Sequence, residues 1–418
     1  MRRKQQIRLG LGVIATFILL LNIIRINISD HPGAKVYYND TYKTCKPIHK
    51  IGFLKIHKCA SSSVQNIILR YALKNQLNVV LPTRGNYLGN IKNPFSREML
   101  RGTPWEEAEL EYDIFCLHTV WNQSEVEKTL GEGASYVTMI RDPVDIFESA
   151  WGYAQLSNFY KMDLETFALS PKTGLLAEEN PTKTFGQNQI LRDFGLHPDN
   201  FTNGLAVEEK IKQIEDKFNL VLLAERFQES MILMKNELCW DYRDVINMKL
   251  NARQELKKTS LSPKAREALE KYLSQDYLVY NHFKKIFEKK VEMFGKEKME
   301  KELNILDHAN KNIREVCSLQ ETKNENISGE NKLWGKGLVA YQVDIDKNPV
   351  CRFMALSELN FLQVMREEQS LRAEPILNRR NRTEQVLRKD FGIQANQAAL
   401  SKLKPRDLER IKAILSPA

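Results

Sequence analysis

Three basic side chains and three consecutive serines lie close together at the end of an apolar run. In chain order they are Lys55, His57, Lys58, Ser61, Ser62 and Ser63. A turn that joins a strand to a helix presents backbone N–H groups and the positive end of the helix dipole to an anion. We therefore predict a phosphate-binding loop in which serine hydroxyls cap the helix and contact phosphate oxygens, with Lys58 beside them. The loop alone leaves open a capped helix whose basic neighbours are merely solvated.

A second stretch repeats this order of strand, basic residue, turn and helix. Arg141 ends the apolar run SYVTMI, an Asp-Pro pair begins a helix, and Ser149 lies eight residues after the arginine. An arginine at a strand end can form paired hydrogen bonds with a phosphate, and a helix serine can add a hydroxyl. Two such elements predict a ligand with two separated phosphates. No glycine occurs between Phe53 and Arg70, so the triphosphate loop GxxxxGK[ST] is absent and a nucleoside kinase is disfavoured.

Both elements follow apolar segments that have the length of buried parallel strands. The segments are IGFLK (51–55), DIFCLH (113–118), SYVTMI (135–140) and LVLLAE (220–225). Alternation of such strands with helical segments predicts an α/β fold with a mostly parallel sheet flanked by helices. In this class of fold, ligands bind beyond the carboxyl ends of the strands. The candidate phosphate loops occupy that edge.

The N-terminus carries an apolar segment, Leu9–Ile24, that predicts a transmembrane signal anchor. Four basic residues precede it and only Arg25 follows closely, so the positive-inside rule makes the rest of the chain luminal. A cleaved signal peptide is the alternative, but no small-x-small cleavage site follows the segment. We divide the chain into a cytosolic tail (1–8), the anchor (9–24), a luminal stem (25–50), an α/β domain (51–297) and a C-terminal helical extension of open role (298–418).

Charge and cysteine content narrow the functional classes. The net charge is +9, and the four basic residues before the anchor contribute +4, which leaves +5 for the rest of the chain. This excess hints at an anionic ligand and gives no argument for nucleic acid. The six cysteines include no CxxC pair, so metal-site spacing is absent, while an oxidising lumen would pair some of them. Glycosylation sequons fit luminal exposure and begin at Asn27, Asn39, Asn122, Asn200, Asn326 and Asn381.

The two phosphate elements together resemble those of sulfotransferases that use 3'-phosphoadenosine 5'-phosphosulfate (PAPS). Four longer segments, FLKIHKCASSSVQNIILRYA, YVTMIRDPVDIFESAWGYA, LVLLAERFQESMILMKNELCWDYRDVINMKLNAR and YLVYNHF, are similar in text and order to the Golgi galactose 3-O-sulfotransferase family. The similarity covers residues 51–297. It implies the sulfotransferase fold, a P-loop-like nucleotide-binding fold, with PAPS as co-substrate and no required metal. Cys59 departs from the small hydroxylated residue usual in these loops, which removes one donor.

The resemblance also assigns roles to individual residues. It places the 5'-phosphosulfate on Lys58, Ser61, Ser62 and Ser63, and the 3'-phosphate on Arg141 and Ser149. Arg253 and Lys257 lie in a stretch that closes over the nucleotide in related enzymes, although a solvated basic loop is an equal alternative. Lys58 is expected to stabilise the charge that develops on the departing phosphate oxygen.

The acceptor hydroxyl loses a proton as it attacks, so the reaction needs a general base. His118, at the end of DIFCLH, is our first candidate, and the alternative is a hydrogen-bonded structural histidine. His57 is the second candidate, or it orients the sulfonate. Other residues have both a ligand-binding and a structural interpretation: Gln187, Asn188 and Gln189 as sugar contacts, Trp121, Trp151 and Tyr153 as stacking rings, and Glu225 as an acceptor-site carboxylate.

The expected function is therefore that of a single-pass type II Golgi membrane enzyme. It would transfer a sulfonate group from PAPS to a hydroxyl of a glycolipid or glycoprotein glycan, with O-3 of a β-galactose as the expected position. The alternatives are a glycosaminoglycan O-sulfotransferase and a catalytically silent Golgi glycan-binding protein of the same fold. The extension after residue 297 would add helices around the acceptor cleft, with Cys317 and Cys351 as a candidate bridge, or mediate association.

Overall fold

A computed structural model describes residues 45–170, 184–250, 259–333, 338–343 and 351–391, with side chains up to Arg382. The predicted anchor and most of the stem lie outside the described residues, as do Arg253 and Lys257. Within the described part, no helix is long and apolar enough to cross a membrane.

Four parallel strands form the central sheet, in the spatial order β3-β1-β5-β6. They are β1 (Ile51–Leu54), β3 (Ile114–Phe115), β5 (Ser135–Ile140) and β6 (Leu220–Leu223), while β2 (Tyr87–Leu88) and β4 (His118–Thr119) form a separate parallel pair. Every residue of β1, β5 and β6 is buried, as expected for a parallel sheet covered on both faces. The predicted α/β class with a mostly parallel sheet is confirmed.

The predicted strand 113–118 is too long. The pairing of β1 with β3 sets Gly52 beside Phe115, so a continued ladder would bring His118 beside Lys55. There, the imidazole Nδ1 of His118 hydrogen-bonds the carbonyl oxygen of Lys55 at 3.1 Å, in place of a ladder N–H. The chain therefore leaves the central sheet after Phe115, and His118 begins β4, where it pairs with Tyr87.

Helices flank the sheet and fill most of the remaining chain. Those before β6 are α1 (Ser61–Lys74), α2 (Pro104–Glu107), α3 (Gln123–Leu130), α4 (Pro143–Tyr153), α5 (Leu156–Tyr160), α6 (Leu164–Leu169), α7 (Gln189–Asp193) and α8 (Gly204–Lys217). Those after it are α9 (Phe227–Glu237), α10 (Tyr242–Val245), α11 (Pro263–Tyr272), α12 (Ser274–Phe294), α13 (Lys296–Val316), α14 (Arg352–Ala355) and α15 (Glu358–Phe391), with a hairpin of β7 (Gln320–Lys323) and β8 (Val339–Gln342) between α13 and α14.

Local sequence explains where the important helices begin. The Asp142 side chain accepts a hydrogen bond from the N–H of Asp145, and Pro143 occupies the first turn of α4. Ser262 caps α11 in the same way, by accepting the N–H of Ala265. The Asp142 cap sets where α4 begins, three residues after the end of β5.

The C-terminal region packs closely on the α/β domain. The Arg366 guanidinium of α15 donates to the carbonyls of Pro82, at 2.9 Å, and of Gly85. The Gln369 side-chain oxygen accepts the N–H of Val79 at 2.7 Å. Helix α15 therefore supplies hydrogen bonds to the loop that leads into β2. Disulfides join Cys45 to Cys239 and Cys317 to Cys351, so the candidate bridge is present.

We expect Arg366→Met to lower the free energy of unfolding by about 1–3 kcal/mol, because two loop carbonyls lose a charged donor. Arg380→Met is the matched control, since Arg380 lies farther along α15 and its guanidinium donates to the carbonyl of Glu107 at the exposed surface. Urea unfolding of the full chain measures both. Equal midpoints for the two variants would contradict the role given to Arg366.

Candidate active site

The four strands of the central sheet end at one edge, and the candidate residues follow those ends directly. Lys55 to Lys58 come after β1, Arg141 comes after β5 and Glu225 comes after β6. His118 lies three residues beyond β3. Parallel strands place their carboxyl ends together, so separate chain segments meet there.

The loop after β1 bends sharply through two left-handed residues, Lys58 (φ 60°) and Ala60 (φ 55°). Such a conformation costs a non-glycine residue about 1–2 kcal/mol, so the surrounding structure must enforce it. One constraint is the Arg141 guanidinium, which donates to the Lys58 carbonyl at 3.3 Å. Another is the Tyr153 ring, whose centroid lies 3.9 Å from the Lys58 ammonium. The two predicted phosphate elements are therefore in direct contact.

The serines do not cap helix α1, and that part of the sequence prediction is wrong. Ala60 occupies the cap position without a side-chain hydrogen bond, and its carbonyl accepts the N–H of Ser63 at 3.0 Å. The Ser61 hydroxyl donates to the Ile56 carbonyl at 2.7 Å. The Ser63 hydroxyl donates to the Met248 carbonyl at 2.9 Å and accepts the N–H of Leu250 at 3.0 Å. Phosphate contacts by these hydroxyls, and by Ser62, stay predictions. To donate to a phosphate, the hydroxyls of Ser61 and Ser63 would have to give up their present hydrogen bonds to backbone carbonyls.

His57 and His118 stack face to face, with ring centroids 4.1 Å apart and planes 15° apart. The Asp193 carboxylate accepts both the backbone N–H and the Nδ1–H of His57 at 2.8 Å, and it also accepts the Gln189 amide at 2.9 Å. With Nδ1 committed to a carboxylate, the Nε2 of His57 faces the Tyr87 hydroxyl at 3.0 Å. His57 is thus buried and fixed at both ring nitrogens.

His118 has one ring nitrogen fixed. A carbonyl oxygen can only accept, so the Nδ1–H of His118 donates to Lys55, which leaves the lone pair on Nε2 in the neutral ring. Loss of surrounding water, followed by the electrostatic effects of Lys55 and then of His57, lowers the pKa of His118 well below its ordinary value. The side chain keeps partial contact with solvent. At neutral pH, His118 is an unprotonated base with a defined tautomer.

Lys55 connects this pair of histidines to the C-terminal helix. Its ammonium is fully buried and lies 2.6 Å from the Glu358 carboxylate, which also accepts the Asn86 amide at 3.0 Å. Burial lowers the pKa of Lys55, and the attraction of Glu358 opposes that shift. Sequence reasoning missed Glu358, Asp193 and Tyr87 as site residues, since no local spacing signals them.

The remaining candidates are placed as follows. Ser149 is buried in α4, and Arg141 forms an ion pair of 3.5 Å with Asp145 in the first turn of that helix. Cys59 is buried with its thiol donating to the His57 carbonyl at 3.3 Å. Trp121 and Trp151 belong to buried apolar clusters, whereas Tyr153 is exposed beside Lys58.

The polar residues of the 187–189 stretch and Glu225 serve structural contacts. Gln187 donates to the Tyr272 carbonyl at 2.6 Å, and Asn188 accepts the N–H of Asp276 at 3.2 Å. Glu225 accepts the N–H of Asp142, which ties β6 to the start of α4. Across the ranges that the structure describes, no group of His, Cys, Asp and Glu side chains is arranged to hold a metal ion.

Comparison with known proteins gives one consistent answer. The family model described as galactose-3-O-sulfotransferase matches residues 1–361. Galactosylceramide sulfotransferase of Mus musculus is 29% identical over 357 residues, which are 80% of this chain and 82% of that protein. The Homo sapiens protein of the same name is 32% identical over 296 residues, 68% of each chain. Galactose-3-O-sulfotransferase 2 of Sus scrofa is 29% identical over 275 residues, 65% of this chain and 69% of that protein. The chain belongs to the galactose-3-O-sulfotransferase family.

Proposed function

We propose that this protein transfers the sulfonate group of PAPS to O-3 of a β-galactose on a glycolipid or glycoprotein glycan. The observation that carries the proposal is His118, a neutral base with a fixed tautomer, stacked on the histidine next to Lys58. The named relatives act on galactose or galactosylceramide, which supports galactose over the uronic acids and hexosamines of glycosaminoglycans.

PAPS fits the charges at the sheet edge. Lys58 and the N-terminus of α1 would receive the 5'-phosphosulfate, since both present positive charge to one point. Arg141 and Ser149 would receive the 3'-phosphate from the neighbouring strand end. The hydrogen bond from Arg141 to the Lys58 carbonyl supports the assignment of the two phosphates to these neighbouring elements, because it holds the two candidate anion sites next to each other. Lysine and arginine supply the positive charge, so the proposal requires no metal.

Transfer would proceed by in-line displacement at sulfur. The galactose O-3 forms a bond to sulfur while the bond from sulfur to the bridging 5'-phosphate oxygen breaks, and that oxygen leaves with the electron pair. The Nε2 of His118 accepts the proton from O-3. Lys58 stabilises the negative charge that builds on the leaving oxygen. His57 would act as a positioning residue, because Asp193 and Tyr87 occupy both of its ring nitrogens.

We further propose a single-pass type II arrangement in the Golgi membrane, with the catalytic domain in the lumen. The uncharged run Leu9–Ile24 and the basic residues before it support this topology. Two disulfides among the described cysteines fit an oxidising compartment. A catalytically silent glycan-binding protein is disfavoured, since Lys58, Arg141 and both stacked histidines are present.

Lys58→Ala is expected to lower kcat by about 100- to 1,000-fold, because the leaving oxygen loses its charge partner. The assay is transfer of labelled sulfonate from PAPS to galactosylceramide, other β-galactosides and glycosaminoglycans by the full chain. Lys212→Ala, at an exposed site on α8, is the matched control and should retain activity. Labelling of glycosaminoglycans alone, or full activity without Lys58, would contradict the proposal.

His118→Ala is expected to abolish transfer and leave binding of the product nucleotide, 3'-phosphoadenosine 5'-phosphate, nearly unchanged, since the base contacts only the acceptor. His57→Ala should lower transfer less, in keeping with a positioning role. Calorimetric titration measures nucleotide binding, and single-turnover transfer measures the chemical step. Retention of most activity without His118 would move the base to His57.

The rate of the chemical step should remain high when pH falls below 6.5. A general base acts unprotonated, and the pKa of His118 is lowered well below its ordinary value, so activity is lost only as pH passes through that lowered pKa. Single-turnover rates at saturating PAPS and acceptor between pH 4.5 and 8 test this on protein shown to be folded. An acidic limb centred at or above the ordinary histidine pKa, about 6.5, would contradict it.

A further inference from the structure

Tyr87 presents an exposed aromatic face beside the proposed base. The side chain is 46% exposed, which is high for a large ring with fixed neighbours. Its hydroxyl is held by the Nε2 of His57 at 3.0 Å, and its ring lies parallel to His118, with centroids 5.1 Å apart and planes 18° apart. In the β2–β4 pair, Tyr87 stands directly opposite His118. One face of a rigid ring is therefore open to solvent at the place where an acceptor must approach.

Two more aromatic rings line the same place. Tyr153 is 37% exposed, and Phe185 contacts both His57 and Tyr153 edge-on, with centroids 5.2 and 5.7 Å away. The exposed rings of Tyr87 and Tyr153 therefore provide aromatic surface beside the histidines, while Phe185 is buried against His57 and Tyr153. A β-galactose ring carries C–H groups on one face and hydroxyls at its rim. Such a ring matches an aromatic surface that has a hydrogen-bonding base at its edge.

Helix α15 holds Tyr87 in place. Glu358, at its first turn, accepts the Asn86 amide next to Tyr87 and pairs with Lys55, whose backbone carbonyl binds His118. About two and three turns later, Arg366 and Gln369 bind backbone groups of the segment 79–85. The family match ends at residue 361, so Arg366 and Gln369 lie beyond it. The ring is fixed from the hydroxyl side by His57 and from the backbone side by this helix.

We propose that Tyr87 is the acceptor-binding residue on which the galactose ring stacks, with its O-3 directed at the Nε2 of His118. Helix α15 is the element that positions Tyr87 for this contact. The inference rests on the proposed function and adds the residue that selects the sugar. It assigns the C-terminal helix a part in acceptor recognition.

Replacing the ring tests this assignment. Tyr87→Leu should raise the KM for a β-galactoside at least tenfold and leave the KM for PAPS unchanged. Tyr87→Phe keeps the stacking face, so its acceptor KM should stay within about threefold of wild type. Phe159→Leu removes another exposed ring, on α5, and should leave both constants unchanged. Urea unfolding confirms that each variant is folded. An acceptor KM within twofold of wild type for Tyr87→Leu, or an equal rise in the KM for PAPS, would overturn the inference.

Binding measured without turnover separates this inference from the proposed function. Saturation-transfer NMR detects methyl β-galactoside on the full chain loaded with 3'-phosphoadenosine 5'-phosphate. Binding by wild type and its loss in Tyr87→Leu, without any sulfonate transfer by wild type, would contradict the function and support the inference. Transfer by wild type with undiminished binding by Tyr87→Leu would overturn the inference alone. Absence of binding by wild type would overturn both.

Discussion

The arrangement of the site depends on one hydrogen bond, from the Nδ1–H of His118 to the backbone carbonyl of Lys55. It occupies the acceptor that a longer β3 would have used, so the chain turns out of the central sheet at this point. It also fixes the tautomer, which leaves the basic nitrogen at Nε2. Through β4, the same residue sets the position of Tyr87 opposite it. A structural contact at a sheet edge thus sets which ring nitrogen of His118 carries the proton, and β4 places Tyr87 opposite that residue.

The buried charges around this hydrogen bond explain why the C-terminal helix belongs to the site. An isolated ammonium at the position of Lys55 would be very costly, and Glu358 compensates it from α15. Lys55 and His57 in turn disfavour a positive charge on His118, which keeps that ring neutral. Asp193 holds His57 by two hydrogen bonds, which fix the ring on which His118 stacks. The packing of α15 and the protonation state of His118 are therefore coupled by electrostatics through Lys55.

Local patterns were sufficient to predict the α/β class, three of the strands and the loops that follow them, since apolar runs and turn signals are short-range features. Local patterns failed where contacts from distant parts of the chain set the backbone conformation. Ala60, not a serine, occupies the cap position of α1, because the loop before the helix passes through left-handed residues. Asp193 lies 136 residues from His57, and Glu358 lies 272 residues from Asn86. Such pairings arise from tertiary packing, so spacing in the sequence gives no signal for them.

The central claim is that His118 is a neutral base with its lone pair at Nε2. Nitrogen-15 NMR of the full chain, labelled at histidine and assigned with a His118→Gln variant, observes this state directly. The account predicts a protonated Nδ1 and an unprotonated Nε2 at pH 7, with titration only at a pH well below that of an ordinary histidine. An imidazolium at pH 7, or a neutral ring with its proton on Nε2, would contradict the account.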